Sequence, residues 1–461
     1  MGIIRFVSNP PYNIYMYFSE QWLRRMERRA DVERERRIEG GKETGSRRFA
    51  TAISTLDKAF IAASQAANKA LERLKEEPSL AVVVFTENYD KNVVLEGISK
   101  VLSKVPIIGA IVPDTIYNEE SIVPRGIGVA LWATNSADVI PFLIKGITRS
   151  EEAIVEDIRR FFDRSKIKRK YAYLLGIAPN ISDDIPTKLA RVFGKVAEFF
   201  DGVYVGVVGE FKPSPWSVIY NGDTYSDHVS AFIIESDVKF GTLLSQGFHP
   251  FIPFKVTSVE DSVIKELNNI PVVEVFRGIL QRMGYSDEDL ADPIKAGKIL
   301  SRFYVDDEDL ADPIKAGKIL SRFYVEVADP SRHGRFKTSI IKSLDDRGLK
   351  VSTEISVNDT LWFAKADLED MLEGTRKGVQ LALSYVKDSS PAGFIIFENY
   401  TRISALGDEI NKDKSNIRIL SNLGFLGIPT VAEIIIHPDF YSGSQSGVML
   451  GTLLANKGEQ P

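Results

Sequence analysis

Apolar residues recur along this chain in two rhythms, a spacing of three or four residues and short unbroken runs, and the two alternate through its first half. From Phe49 onward Ile53, Leu56, Phe60, Ala63, Ala67, Leu71 and Leu74 fall every three or four positions with alanines between them, which predicts a helix ending before Pro78. The run Leu80–Phe85 predicts a buried strand, Val93–Leu102 a helix, and Ile107–Val112 and Ile127–Ala133 two further strands. A second round follows: a charged helix over 151–164, a strand at Tyr171–Leu175, a helix opened by Asp183, Asp184 and Pro186, and a strand at Val203–Val208.

Beyond Gly209 strands follow one another more closely. Asn221-Gly222 between Trp216–Tyr220 and Thr224–Tyr225 is a strong hairpin signal, because both turn residues tolerate positive φ. Strands are predicted at Val229–Ile234, Thr242–Leu244, Phe251–Val256, Thr338–Lys342, Val351–Ile355, Leu361–Ala364, Gly393–Phe397, Thr430–Ile436 and Val448–Leu453. Helices are predicted at Val272–Arg282 and from Asp367, the latter with Leu368, Met371, Leu372, Val379, Leu383 and Val386 on one side. The predicted class is α/β (α+β), with two domains of mixed, largely antiparallel sheets flanked by helices. A charged extension at 1–48, domains at 49–212 and 213–455 and a tail at 456–461 describe the organisation. Asp287–Val305 and Asp307–Val325 are identical at a period of 20, too few copies for a solenoid, so one copy is expected to bulge from the surface as a duplicated segment.

Composition narrows the function classes. The 461 residues are 44% hydrophobic and 26% charged with a net charge of −5, an ordinary globular balance that argues against a nucleic-acid coat. There is no cysteine, which removes disulfides, thiolate metal sites and cysteine nucleophiles. No apolar run reaches membrane-spanning length, and Arg5, Asn9, Pro10 and Pro11 interrupt any signal core, so the cytoplasm is the expected location. The segment from Arg24 to Arg48 mixes arginine with acids at helical spacing, as a solvated helix or a partner arm would.

Catalytic motifs are few. No glycine-rich nucleotide fingerprint is present, and Gly206 to Gly209 reads as a tight strand exit. Ser442 to Gly447 puts Gln445, not serine, at the centre of the glycine-flanked turn, so a flexible or ligand-facing loop is expected there. The four histidines are scattered, which argues against a metal helix; His249, between Phe248 and Pro250, is the candidate to line a site. Glu433 stands inside an apolar strand where an ionised carboxylate needs a partner, and Arg402 is a plausible mate; an outward-facing Glu433 is the alternative.

Several segments together resemble the FIST family, with its N-terminal and C-terminal FIST domains. They include the alanine-rich helix and the strand Ala81–Phe85, the hairpin at Val218–Gly222, Ser245-Gln246-Gly247-Phe248-His249-Pro250, Glu266–Val275, Phe397–Arg402, and Gly427-Ile428-Pro429 leading to Ala432-Glu433-Ile434. The sequence departs from the family where Glu398 and Asn399 stand near its cysteine and where Thr401 and Ala432 replace glycines. The resemblance implies an intracellular sensory protein of signal transduction that binds a small polar ligand such as an amino acid, and acts through a separate signalling partner because no output domain is evident. Arg402 would hold a ligand carboxylate and Glu433 an amine or Arg402 itself, with Glu398, Asn399, Gly247 and His249 around them; which cofactor, if any, goes with it is left open. An enzyme using a Glu/Arg/His pocket and a scaffold acting through the arginine-rich arm are the alternatives.

Overall fold

Three times along the chain a buried strand leads through helix into a second strand parallel to the first, a connection that a tight turn cannot make. A computed structural model describes residues 48–74, 76–164, 169–209, 216–247, 249–260, 263–275, 278, 323–330, 335–345, 347–365 and 368–458. Leu80–Thr86 runs parallel to Ile107–Val112 across the helix Lys91–Val101. Tyr171–Pro179 runs parallel to Gly202–Val208 across Ile185–Lys195. Ser390–Asn399 runs parallel to Gly424–Thr430 across the helices Tyr400–Leu406 and Ile410–Ser421. In each unit two antiparallel strands extend the sheet on one side: Ile127–Trp132 and Phe49–Ser54, His228–Ser236 and Ala137–Lys145, Met449–Asn456 and Gly241–Ser245.

The other edge of each sheet is completed by a hairpin from a different unit. Val218–Tyr220 with Asp223–Tyr225 leaves the second unit to pair with Ile107–Val112 of the first. Ala432–Ile436 with Gly443–Gln445 leaves the third for Gly202–Val208 of the second. Ile116–Asn118 with Ile122–Val123 leaves the first for Gly424–Thr430 of the third. The exchange is cyclic and joins three six-stranded sheets into a ring. Strands on either side of residue 212 therefore share sheets.

The mixed α/β class and the helix-flanked, largely antiparallel sheets agree with the sequence reading. One face of each sheet meets a common apolar core through residues such as Val82, Leu175 and Ile396. The other faces of the first two sheets lie under their own helices, with the alanine stripe Ala62, Ala63, Ala66, Ala67 and Ala70 against Val83 and Phe85, and Ile158 and Leu189 against Val205. The helix expected from Phe49 is shorter than its spacing suggested. Phe49–Ser54 is a strand, Ala59–Leu74 is the helix, and Leu56 between them is exposed. Both faces of that strand are covered, so its residues show no alternation of apolar and polar.

The third unit carries an insertion between Gly241–Ser245 and the helix Leu368–Tyr385. Its strands His249–Glu260, Thr360–Lys365, Phe323–Ala328, Phe336–Asp345, Gly348–Val351 and Val263–Leu267 pair antiparallel in that order, and the last returns to the first. They enclose a core that includes Val256, Val325, Val327, Leu349 and Leu361. The second copy of the duplicated segment ends as Phe323, Tyr324 and Val325 at the start of a barrel strand. The rest of the duplication, most of the helix expected at Val272–Arg282, and the extension up to residue 47 lie outside the described residues. Among the described residues no helix is long and apolar enough to cross a membrane.

Two local devices hold this topology. Asn221 and Gly222 have φ of 47° and 93°, as the hairpin signal required. Opposite the exchanged hairpin strands stand glycines: a Cβ at Gly427 would lie 1.9 Å from the Tyr117 ring and one at Gly206 would lie 2.2 Å from Phe397. Gly427→Ala should therefore destabilise the protein by about 1–3 kcal/mol or more, because the ring must leave its packed position; chemical denaturation measures it.

Candidate functional site

The strand Ser390–Asn399 is buried from Gly393 to its carboxyl end, and it ends on two polar residues, Glu398 and Asn399. Ligands of open α/β sheets bind beyond the carboxyl ends of their strands. Here Glu398 accepts hydrogen bonds from the Tyr117 hydroxyl, carried in by the exchanged hairpin of the first unit, and from Arg402 Nη1 one helical turn later. The same guanidinium holds Asp413 in a two-pronged pair, Nη1 to Oδ2 at 2.9 Å and Nη2 to Oδ1 at 3.1 Å. Nη2 also donates to Thr375 Oγ1 at 2.7 Å and to the Met371 carbonyl at 3.2 Å.

Glu398, Arg402 and Asp413 are all fully buried. Burial works against the Arg402 charge, but Asp413 and Glu398 outweigh it and hold the guanidinium even more firmly protonated than usual. Its Nε has no hydrogen-bond acceptor. Beside this cluster Lys414 is buried, with Nζ 3.3 Å from the Tyr117 ring centroid and no hydrogen-bond acceptor. Burial lowers its pKa to about 7 against the opposing pull of Glu398 and Asp413. Burial and the neighbouring Glu398 push the Tyr117 hydroxyl far above its usual range.

Asn399 turns the other way. As N-cap of Tyr400–Leu406 its Oδ1 accepts from the Thr401 amide at 3.1 Å and the Thr401 hydroxyl at 2.8 Å. That fixes the amide orientation and leaves Nδ2 to donate to both Glu433 oxygens, at 3.2 and 3.3 Å. Thr430 Oγ1 donates to Glu433 Oε1 at 2.5 Å. Glu433 is fully buried, so the outward-facing alternative does not hold. Burial raises its pKa well above the carboxylate range, with Thr430 and Asn399 opposing.

Gln445 stands directly opposite Glu433 in the hairpin and accepts from Gln246 Nε2 at 3.3 Å. Gln246 Nε2 also donates to Thr338 Oγ1, at 3.2 Å, on the barrel. A seam of buried and half-buried polar groups thus runs from the barrel wall past Glu433 and Asn399 to Arg402 and Lys414. At its barrel end lies Glu326, buried, in register with Thr338, and with its pKa raised to about 8 by desolvation alone.

The pairing expected between Arg402 and Glu433 is corrected by this geometry: Glu398 and Asp413 take the guanidinium, and two neutral donors hold Glu433. A carboxylate four residues before the arginine, at the end of the strand that leads into its helix, and a second on the next helix hold the guanidinium instead. Gly247, with φ of 89°, has its α-carbon so near the helix Leu368–Tyr385 that a Cβ would lie 2.6 Å from Met371 Cα. It lets the strand pack on the helix that supplies Thr375. His249 opens a barrel strand opposite Lys365, and its side chain lies outside the described residues. The serine-rich segment is no loose loop, since Gly443–Gln445 is a strand with Ser444, Gln445 and Ser446 buried.

Asp413, Lys414, Thr375, Tyr117 and Glu326 escaped the sequence reading, and Gln246 entered it only as part of a family-like segment, not as a site residue. Ile410, Asp413 and Ile417 fall on one buried stripe of a helix, so a polar residue at a core position was the available signal for Asp413. Among the described residues no group of three or more His, Asp or Glu could hold a metal ion.

Residues 79–270 match the FIST N domain. The FIST N region spans the two parallel pairs of the first two units and reaches into the barrel, so it contains Tyr117 and Gln246, while Glu398, Arg402, Asp413 and Glu433 lie beyond it. No curated protein matches the chain. Among solved structures, cyanuric acid hydrolase from A. caulinodans is 12% identical over 43% of this chain and 73% of its own, with a TM-score of 0.25. PurLQS from Thermotoga maritima is 10% identical over 93% of this chain and 79% of its own, with a TM-score of 0.22. Likenesses this weak carry no weight for fold or function.

Proposed function

We propose that this protein is a sensory module of signal transduction that binds a small polar ligand along the buried seam and passes its state to a separate signalling partner. The match to the FIST N domain, a sensory domain family, supports the sensory part. The observation that carries the ligand part is the seam's surplus of unsatisfied polar groups. Lys414 Nζ and Arg402 Nε lack hydrogen-bond acceptors, and Glu433 faces only neutral donors. Buried polar groups left in this condition are costly for stability alone, and a bound polar molecule would complete them. Arg402 acts as a framework residue, because its forks are filled by Asp413, Glu398 and Thr375. Glu433 is the side chain with capacity to engage a ligand.

Thermal unfolding across a panel of amino acids, amines and small organic acids tests the reading. A true ligand at one hundred times its Kd should add about 2.7 kcal/mol, and Glu433→Gln should reduce that response sharply. A flat panel, or a response that Glu433→Gln leaves intact, overturns it.

A further inference from the structure

Glu326 is an acid that the barrel fold alone does not require. In the strand Phe323–Ala328, Val325 and Val327 point into the barrel core, so Tyr324 and Glu326 point out. The outer face is covered: Tyr324 packs with Ala364, Met371 and Leu406, and Glu326 is only 4% exposed. Directly opposite Glu326 on its two neighbouring strands stand Thr338 and Trp362, so acid, hydroxyl and indole share one patch. Thr338 ties the patch to Gln246, and Gln246 to Gln445 opposite Glu433.

Glu326 has neither a hydrogen bond nor an ion pair with any described residue, and no charged side chain offsets its desolvation. A buried carboxyl is expensive unless something pairs with it. Its flanking groups decide what that something is. An anion is repelled, a divalent metal has one carboxylate where it needs several ligands, and an alkylammonium would have a counter-ion in Glu326 and an aromatic ring in its cross-strand neighbour Trp362. We infer that Glu326 and Trp362 form the subsite for the cationic group of the ligand, a small organic ammonium. This rests on the reading of the seam as a ligand site and specifies the charge of what enters it. Glu326 would enter the complex ionised, giving up its proton to solvent as the ammonium arrives, so that the acid and the cation neutralise each other inside.

Calorimetric titration with n-butylammonium chloride tests it, with sodium butyrate and n-butanol as controls, each run near neutral pH in phosphate and in HEPES, neither of which is a primary ammonium. The inference expects binding of the ammonium alone, with a heat that differs between the two buffers because a proton is released. Glu326→Gln should weaken binding about tenfold or more and abolish the buffer difference, while Trp362→Leu weakens binding and keeps it. Equal binding of n-butanol, no binding of the ammonium, or unchanged affinity in Glu326→Gln overturns the subsite. If other molecules in the panel still stabilise the protein through Glu433, the sensory reading survives that failure; if the panel is flat as well, both fall.

Discussion

Arg402→Met should destabilise this protein by about 3–5 kcal/mol, the largest loss expected from any single change in the seam. The methionine fills most of the volume, so the cost is electrostatic. Glu398 and Asp413 both have fully buried side chains, and removing the guanidinium takes a donor from both carboxylates, the Thr375 hydroxyl and the Met371 carbonyl, leaving Glu398 with the Tyr117 hydroxyl and no counter-charge on Asp413 from Arg402. The intact cluster is not a large net stabiliser, because three charges were taken out of water to make it. A triple variant, Arg402→Met with Glu398→Gln and Asp413→Asn, should therefore recover much of the loss. Denaturant unfolding of the single and triple variants separates the two statements. A single-variant cost below about 1 kcal/mol would show that the pairs are solvated.

Glu326 predicts the second large effect, in the dependence of stability on pH. Burial raises its folded pKa to about 8 from an ordinary 4.5, so between these values the folded state holds a proton that the unfolded chain releases. The stability associated with that proton is complete below about 4.5 and is lost as pH rises through 8. Wild type and Glu326→Gln should match in acid and diverge with rising pH, the variant becoming the more stable by roughly 3–5 kcal/mol above pH 8. Lys414, lowered to about 7, and His437, lowered to about 4 by burial, tilt the curve the other way over their own ranges. Both are common to the two proteins, so the difference curve isolates Glu326. Parallel curves would mean that its carboxyl reaches water.

Much of this architecture is legible in the sequence because strand and helix rhythms are local properties. The strands predicted at Leu80–Phe85, Tyr171–Leu175 and Gly393–Phe397 lie within longer strands of the fold, and the Asn221-Gly222 turn and the helix Glu151–Arg164 form where the pattern puts them. The cyclic exchange of hairpins is not legible, because Tyr117 reaches Glu398 across 281 positions of sequence and only the folded chain makes them neighbours. The candidate site was half visible. An acid in the apolar run around Glu433 and an arginine after a strand end are unusual enough to notice, and both are buried in the seam. Which partner each takes depends on the helix Ile410–Ser421, whose Asp413 sits one turn inside a segment that reads as charged surface. Glu326 escaped for a related reason: it lies in a strand that the sequence analysis did not predict, and nothing local tells that the rest of the molecule covers the outer face on which it stands.

The central claim is that two buried acids, Glu326 and Glu433, pair with no cation among the described residues and stand ready for a ligand. Infrared spectra of the protein with isotope-labelled glutamate, recorded near neutral pH, test it most directly. The account predicts the carbonyl stretch of protonated carboxyl groups, part of it removed by Glu326→Gln and another part by Glu433→Gln. A spectrum containing only ionised carboxylates in all three proteins would contradict it.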